Sequence, residues 1–447
     1  MKYIKWLLIL VFVVAGCRPS PPTDYNVVII GIDTCRKDHM SLYDYPYATT
    51  PELEKLAKES VIFHNAVSTS PWTLPSFASL FTACYPTVHG AYGQFNSAFH
   101  PIRKSVPNGV REMSRAGLKT QAFVNAPFLL PEFGFPRGFD DYDASRSDNA
   151  HIRRADATFS AAMEWAGAHK SKPFFLFIHL FDPHLNYDPP AGHLQRLQEL
   201  TGLDYKGPLE VPFSHFKSIR SGEVVLTPED WAYVKMLYDA EISFVDEWCG
   251  RFIAFLKEQG LYDKTMLVVC SDHGEEFMDH NGFEHGHTQY QELVNVPLII
   301  KYPGSRDAGE HVHDPVSLVD IMPTVFDVLS LETPAEFQGK SLSPVPSRPV
   351  FSEHVLYGRE TKAVVVYPWK LIAHYRFEKV ELYNLQDDPA EKNDVHQQEP
   401  EIVDKLTDLI QIWIDQNLEY GQGNEGKKPA QLDKKTLEEL KSLGYIK

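Results

Sequence analysis

From residue 24 onward the chain alternates short, wholly apolar runs with longer stretches whose apolar positions recur at helical spacing. Asn26 to Ile32 is apolar and β-branched without alternation, the mark of a strand buried on both faces. Phe174 to Leu180, Thr265 to Cys270 and Val296 to Tyr302 repeat that pattern. Thr50 to Ser60 reads as a helix with Pro51 just inside its start, and Pro228 to Gln259 as one or two amphipathic helices closed by Gly260. Strands separated by helices predict an α/β fold, a mostly parallel central sheet with helices on both faces. In such sheets ligands sit beyond the C-terminal ends of the strands, so the residues following each strand are the ones to inspect.

The pattern changes past about Ser341. Ala363 to Tyr367, Trp369 to His374 and Val380 to Asn384 read as short antiparallel strands, followed by an amphipathic helix over Glu401 to Asn417 and a short one over Leu432 to Leu443. This predicts a main, site-bearing domain over residues 24–341 and a small C-terminal α+β subdomain with its tail over 342–447.

The N-terminus follows a different logic. Lys2 and Lys5 precede an apolar run, Trp6 to Val14, that is too short to span a bilayer and ends in Val14-Ala15-Gly16-Cys17. This resembles a bacterial lipoprotein signal: residues 1–16 would be removed, Cys17 lipidated, and 17–23, with Pro19, Pro21 and Pro22, left as a stiff tether. The expected location is the bacterial cell envelope, exported and held to a membrane by lipid. Arg18 after the cysteine leans toward outer-membrane sorting in lipoprotein families.

Charge narrows the partners. With 43 basic and 60 acidic residues the net charge is −17, a surface that repels nucleic-acid phosphates, so no nucleic-acid partner is expected. Hydrophobic residues at 43% permit a sizeable core in a chain of 447 residues and exclude a disordered protein. Cys35, Cys84, Cys249 and Cys270 lie far apart with no C-x-x-C pair, which argues for buried thiols over a zinc ribbon or redox motif.

The chemistry lies after the strands. The first runs into Asp33-Thr34-Cys35-Arg36-Lys37-Asp38, and Thr265 to Cys270 runs into Ser271-Asp272-His273-Gly274-Glu275-Glu276. Two carboxylates and an imidazole at neighbouring strand ends suit a hard or borderline divalent cation. Between them in sequence, Trp72-Thr73-Leu74-Pro75-Ser76 opens a helix expected over Phe77 to Thr82. A hydroxyl at a helix N-terminus beside a cation is well placed as a nucleophile toward an anion. Taken singly, Asp33 also reads as a strand-end cap and Thr73 as the N-cap of its own helix.

Together these segments resemble the sulfatase family of the alkaline-phosphatase superfamily. The likeness runs through Asn26 to Asp38, Thr73 to Thr82, Pro173 to His184 with Tyr187, Tyr238 to Ile242, Ser271 to Glu275, and His285-Gly286-His287 with Val296 to Ile300. It covers about residues 24–395, and Leu443-Gly444-Tyr445 is similar to a tail seen in relatives. The resemblance implies one divalent ion held by Asp33, Asp272 and His273, with Thr73 facing it. His184 and His287 would hold the transferred group and protonate the leaving group. The substrate would be an anionic ester, sulfate or phosphate, of a small molecule, glycan or lipid.

The nucleophile motif departs from the family's. Sulfatases carry Cys or Ser, converted to formylglycine, in C/S-x-P-x-R; here those positions are Thr73 and Phe77, so formylglycine is not expected. Cys84-Tyr85-Pro86-Thr87-Val88 imitates the motif but has Val88 in the arginine's place. Phosphoryl-transferring relatives use a metal-activated threonine or serine, which favours phosphate esters; overall likeness favours sulfate esters. Thr34 replaces an aspartate common in calcium-binding sulfatases, leaving calcium, zinc and manganese open. A second cation, held by His287 with Asp182 or His184, would make good the missing arginine charge. Asn125 stands where many sulfatases have a substrate-binding lysine. Two other readings compete with a hydrolase: a catalytically silent envelope binding protein, and a phospho-group transferase acting on envelope glycans or lipids.

Overall fold

The structure is a computed structural model that describes residues 23–145, 153–207, 218–220, 222–374, 377–421 and 428–446. The signal segment and Cys17 lie outside the described residues. Fifteen strands are found among the described residues: β1 Asn26–Ile32, β2 Val61–Val67, β3 Lys119–Phe123, β4 Asp141–Asp143, β5 Phe174–Leu180, β6 Thr265–Ser271, β7 Glu276–Phe277, β8 Phe283–Glu284, β9 Asn295–Lys301, β10 His311–Val312, β11 Val316–Ser317, β12 Val350–Glu353, β13 Thr361–Val366, β14 Trp369–His374 and β15 Val380–Asn384. Nine form the central sheet in the order β10-β2-β9-β6-β1-β5-β3-β4, with β11 beside β2. All its pairings are parallel except those of β9, which runs antiparallel to both β2 and β6. The expected mostly parallel α/β architecture is therefore the one found.

Alternation along β1 splits the core into two layers. Val27 and Ile29 join one cluster with Phe77, Phe81 and Phe177; Val28, Ile30 and Ile32 join the other with Phe159, Phe252 and Leu256. Strands this apolar on both faces need helices on both sides. Pro228 to Glu258 is one continuous helix, started by a capping box between Thr227 and Asp230. No helix of the described residues is long and apolar enough to cross a membrane. Cys35, Cys84, Cys249 and Cys270 are free buried thiols, as expected.

The C-terminal unit is an antiparallel sheet, β12-β13-β14-β15, covered by the helix Pro400–Gly421. Trp413 of that helix stacks on Phe351 of β12 at 4.6 Å. A buried ion pair inside this unit lies at its seam with the main domain: Lys370 Nζ is 2.8 Å from Glu391 Oε1, both side chains fully buried. The other Glu391 oxygen accepts the Gln291 amide at 2.6 Å, and the Glu391 carbonyl lies 3.0 Å from His280 Nε2. Removing one partner of such a pair strands a buried charge. Lys370→Met is therefore expected to cost about 3–5 kcal/mol in urea unfolding.

Candidate functional site

The site begins where β1 and β6 end side by side. Their register pairs Ile32 with Ser271, so Asp33 and Asp272, each the next residue, emerge together at the C-terminal edge of the sheet. Thr34 then turns the chain with φ at 55°, a costly conformation for a β-branched residue. The turn is held by the Thr34 amide donating to Asp272 Oδ1 at 3.3 Å and by Tyr238 donating to the Thr34 carbonyl at 2.7 Å. As a result one ligand atom each of Asp33, Asp272 and His273 falls within 4.8 Å of the others. All three side chains are buried.

Hydrogen-bond logic fixes what these groups present. His273 Nδ1 is 2.8 Å from the Gly274 carbonyl, which only accepts, so Nδ1 carries the proton and Nε2 is a bare lone pair. Burial and the nearby imidazoles push the His273 pKa down and keep the ring neutral. That lone pair faces Asp272 Oδ2 at 3.3 Å and Asp33 Oδ1 at 3.6 Å. Asp272 Oδ2 makes no hydrogen bond, and neither does the buried Thr34 Oγ1. Burial raises the pKa of both carboxyls, and Asp33's charge raises that of Asp272 further. Three buried acceptors aimed at one point, with almost no donor among them, fit a divalent cation: two oxygen ligands and one nitrogen ligand, already desolvated.

Thr73 brings a hydroxyl to the cluster. The helix opens one turn earlier than expected, over Thr73–Thr82, and its N-cap is Trp72. The hydroxyl is thus not spent on capping. It lies 3.3 Å from His273 Nε2 and 3.5 Å from Asp33 Oδ1, at the positive end of its helix. Ser76, one turn on, donates to the Asp272 carbonyl at 2.7 Å and locks the helix start to the end of β6. Cys84 follows the opposite end of this helix, buried against the Glu336 carbonyl at 3.5 Å, so the imitation motif is away from the site.

Sequence reasoning missed His179. It sits on β5 opposite Gly31 of β1, fully buried, with Nε2 3.2 Å from Asp33 Oδ2. Its Nδ1 accepts from the Asn125 amide at 3.3 Å, so Nε2 holds the proton and donates to Asp33. Burial lowers its pKa to about 3. Gly31 makes room for this layer: a Cβ there would meet Phe77 Cε1 at 2.8 Å. Phe77, in the arginine's place, stands edge-on to His179 at 5.2 Å. Asn125 is occupied with this support, donating to Thr158 Oγ1 at 3.1 Å and accepting from Arg153 Nε at 3.1 Å. The available signal was a lone histidine in an apolar strand, one residue before its end. Because His179 orients Asp33, a candidate ligand, His179→Ala is expected to weaken divalent-cation binding roughly 10- to 100-fold by calorimetric titration.

A second group of side chains borders the cluster. The His285 ring is 4.4 Å from that of His273, and its Nδ1 is 2.9 Å from Glu275 Oε1. His184 is brought to the same place, its ring 5.1 Å from His285. Tyr187 donates to Glu275 Oε2 at 3.0 Å, and burial lifts the Glu275 pKa to about 7. His287 is half-buried, with Nε2 2.7 Å from Glu276 Oε2. Asp182 turns elsewhere, accepting from the Ala155 amide at 3.0 Å at the start of the helix Ala155–His169. Among the described residues His287, Asp182 and His184 do not converge as a second ligand set. Arg36 bridges Asp38 and Asp279, each at 2.7 Å.

Comparison with known proteins places the chain in a family. The family model described as Sulfatase matches residues 25–331, and one described as N-sulphoglucosamine sulphohydrolase, C-terminal, matches 279–416. An N-acetylglucosamine-6-O-sulfatase of Bacteroides thetaiotaomicron is 23% identical, covering 92% of this chain and 89% of the relative. An arylsulfatase of Clostridium perfringens is 25% identical, covering 71% and 77%. Among solved structures, a phosphonate monoester hydrolase from Silicibacter pomeroyi aligns with a TM-score of 0.69 at 22% identity, covering 92% of this chain and all of that one. A protein solved in complex with its substrate D-glucosamine-2-N,6-O-disulfate aligns with a TM-score of 0.74 at 20% identity, covering 89% and 99%. With the Sulfatase model spanning more than half of its length, the chain belongs to the sulfatase family of the alkaline-phosphatase superfamily, a family of metal-dependent ester hydrolases.

Proposed function

We propose that this chain hydrolyses anionic esters through Thr73, with one divalent cation held by Asp33, Asp272 and His273, and that phosphorus esters are its better substrates. The observation that carries the reading is the uncapped Thr73 hydroxyl, 3.3 Å from His273 Nε2 and 3.5 Å from Asp33 Oδ1. When bound, a divalent ion supplies Lewis acidity, favouring the ionised hydroxyl and neutralising charge on the transferred group. The Thr73 oxygen, its proton released to solvent, forms a bond to phosphorus while the ester oxygen leaves with the electron pair and takes up a proton. Water then attacks phosphorus, the threonine oxygen leaves with the bonding pair, and the proton given up by the water restores the Thr73 hydroxyl. A threonine ester has no aldehyde to regenerate by elimination, so its release depends on water, which favours phosphorus over sulfur.

His184 is neutral, its pKa lowered to about 3 by burial, and both its nitrogens are engaged, Nδ1 by the Leu185 carbonyl and Nε2 by Tyr445, so it lines the site instead of donating to the transferred group. The leaving-group proton falls to His287, which is half-buried and paired to an ionised Glu276. Lipidated Cys17 would hold the enzyme in the bacterial envelope, a reading supported by the Val14-Ala15-Gly16-Cys17 motif. The test is a panel of aryl sulfate, aryl phosphate monoester, aryl phosphodiester and aryl phosphonate monoester with calcium, manganese or zinc. Cation-dependent turnover fastest on a phosphorus ester is expected; sulfate turnover exceeding all three contradicts the preference.

A further inference from the structure

The last residues of the chain reach into the site. The helix Lys434–Ser442 is capped by Asp433 and docked by Thr436 donating to Glu132 Oε1 at 2.7 Å and by Leu440, fully buried in the main core. Gly444, with φ at 76°, ends the helix, and the Tyr445 amide closes back on the Leu440 carbonyl at 2.9 Å. This turn lays the Tyr445 ring against Phe128 at 4.8 Å and leaves it 4% exposed. Its hydroxyl then sits between two imidazoles, 2.8 Å from His184 Nε2 and 3.1 Å from His285 Nε2.

A phenol has one proton to give. His184 Nδ1 lies 2.9 Å from the Leu185 carbonyl, an acceptor only, so neutral His184 presents a bare Nε2 and takes the Tyr445 proton. Toward His285 the oxygen must therefore accept, which requires Nε2–H on that ring, and a second proton is then shared between Nδ1 and Glu275 Oε1, 2.9 Å apart. One hydroxyl thus specifies opposite states at two facing nitrogens and sets the planes of both rings. The His285 ring packs on ligand His273, so its orientation bears directly on the metal cluster.

We infer that Tyr445 is a positioning residue of the active site: its hydroxyl, delivered by the C-terminal turn, fixes the orientation and proton placement of His184 and His285. The kinetic consequence rests on the hydrolase reading above; the structural one does not. Tyr445→Phe keeps the ring and removes only the hydroxyl. In the full chain labelled with ¹⁵N-histidine, the wild type should show His184 bare at Nε2 and His285 protonated there, assigned with His184→Gln and His285→Gln. Tyr445→Phe should shift both Nε2 signals, leave that of His179 unchanged, and lower kcat about tenfold with KM within about twofold. Unchanged histidine signals overturn the inference, as do shifted signals with kcat unaltered. A rise in kcat also overturns it, since the hydroxyl would then be an obstacle to substrate. If the wild type turns over no ester, the hydrolase reading fails and the histidine signals alone decide the role of Tyr445.

Discussion

Thr73→Ala is expected to lower kcat/KM for the best ester roughly 10⁴-fold or more while leaving the fold intact, because it removes the proposed nucleophile and little else. Removing a buried side chain usually disturbs stability, but here the lost contacts are long: 3.3 Å to His273 Nε2 and 3.5 Å to Asp33 Oδ1. The hydroxyl caps no helix, since Trp72 holds that position. Its loss should change unfolding free energy by no more than about 1 kcal/mol. Thr73→Ser restores a hydroxyl at the same place and should recover most of the activity. Stopped assays across the ester panel, beside a thermal melt of each variant, separate loss of chemistry from loss of fold. Equal rates in wild type and Thr73→Ala would remove Thr73 from the mechanism.

The second large effect concerns the cation. In metal-free protein the folded pKa values of Asp33 and Asp272 stand above their unfolded values, through burial and, for Asp272, the charge of Asp33. A group with a raised folded pKa contributes stability below its unfolded pKa and loses it as pH rises through the folded value. Metal-free protein should therefore melt at progressively lower temperature as pH rises above about 4, the unfolded aspartate pKa. A bound divalent cation needs both carboxylates ionised, so the dependence reverses and the loaded protein weakens on acidification. At a thousandfold excess over Kd the cation should add about 4 kcal/mol of stability. Asp33→Asn should abolish that response and stabilise the metal-free protein at alkaline pH, because one of two facing buried charges is gone. Calorimetric melts with chelator, then with calcium, manganese or zinc, give the answer; melts indifferent to every cation would contradict the site.

How much of this was legible follows from what local sequence encodes. Phe174–Leu180, Trp369–His374 and Val380–Asn384 fall where the apolar runs place them, because burial on one or both faces writes a strand directly into composition. Val61–Val67 carries His64 and Asn65 at a register shift between Phe63 and Ala66, which hides the strand in a polar interruption. Lys119–Phe123 begins with three polar residues and was equally obscure. Nothing local sets the direction of β9, which is antiparallel because its partners arrange it so.

The same division holds in the site. Asp33, Asp272 and His273 were readable because strand ends of an α/β sheet are ligand positions, and Thr73 because a hydroxyl opens a helix beside them. His179 and His285 owe their places to pairing and packing between segments more than a hundred residues apart, as the Gly31–His179 register shows. Tyr445 reaches His184 from the far end of the chain. A resemblance marked its tail, but only the folded contact gives it a task. His287 and His184, alike in sequence terms, separate in space: one pairs with Glu276 near the surface, the other is buried against Tyr445.

The most direct test of the central claim is to catch the chain in mid-reaction. The full chain, loaded with the cation that supports turnover, is mixed with its best aryl ester, quenched in acid within the first turnover, and mapped by peptide mass spectrometry. The account predicts a phosphoryl or sulfuryl adduct on the peptide containing Thr73, placed on that residue by fragmentation and absent from Thr73→Ala. Turnover that leaves Thr73 unmodified and persists undiminished in Thr73→Ala would contradict it.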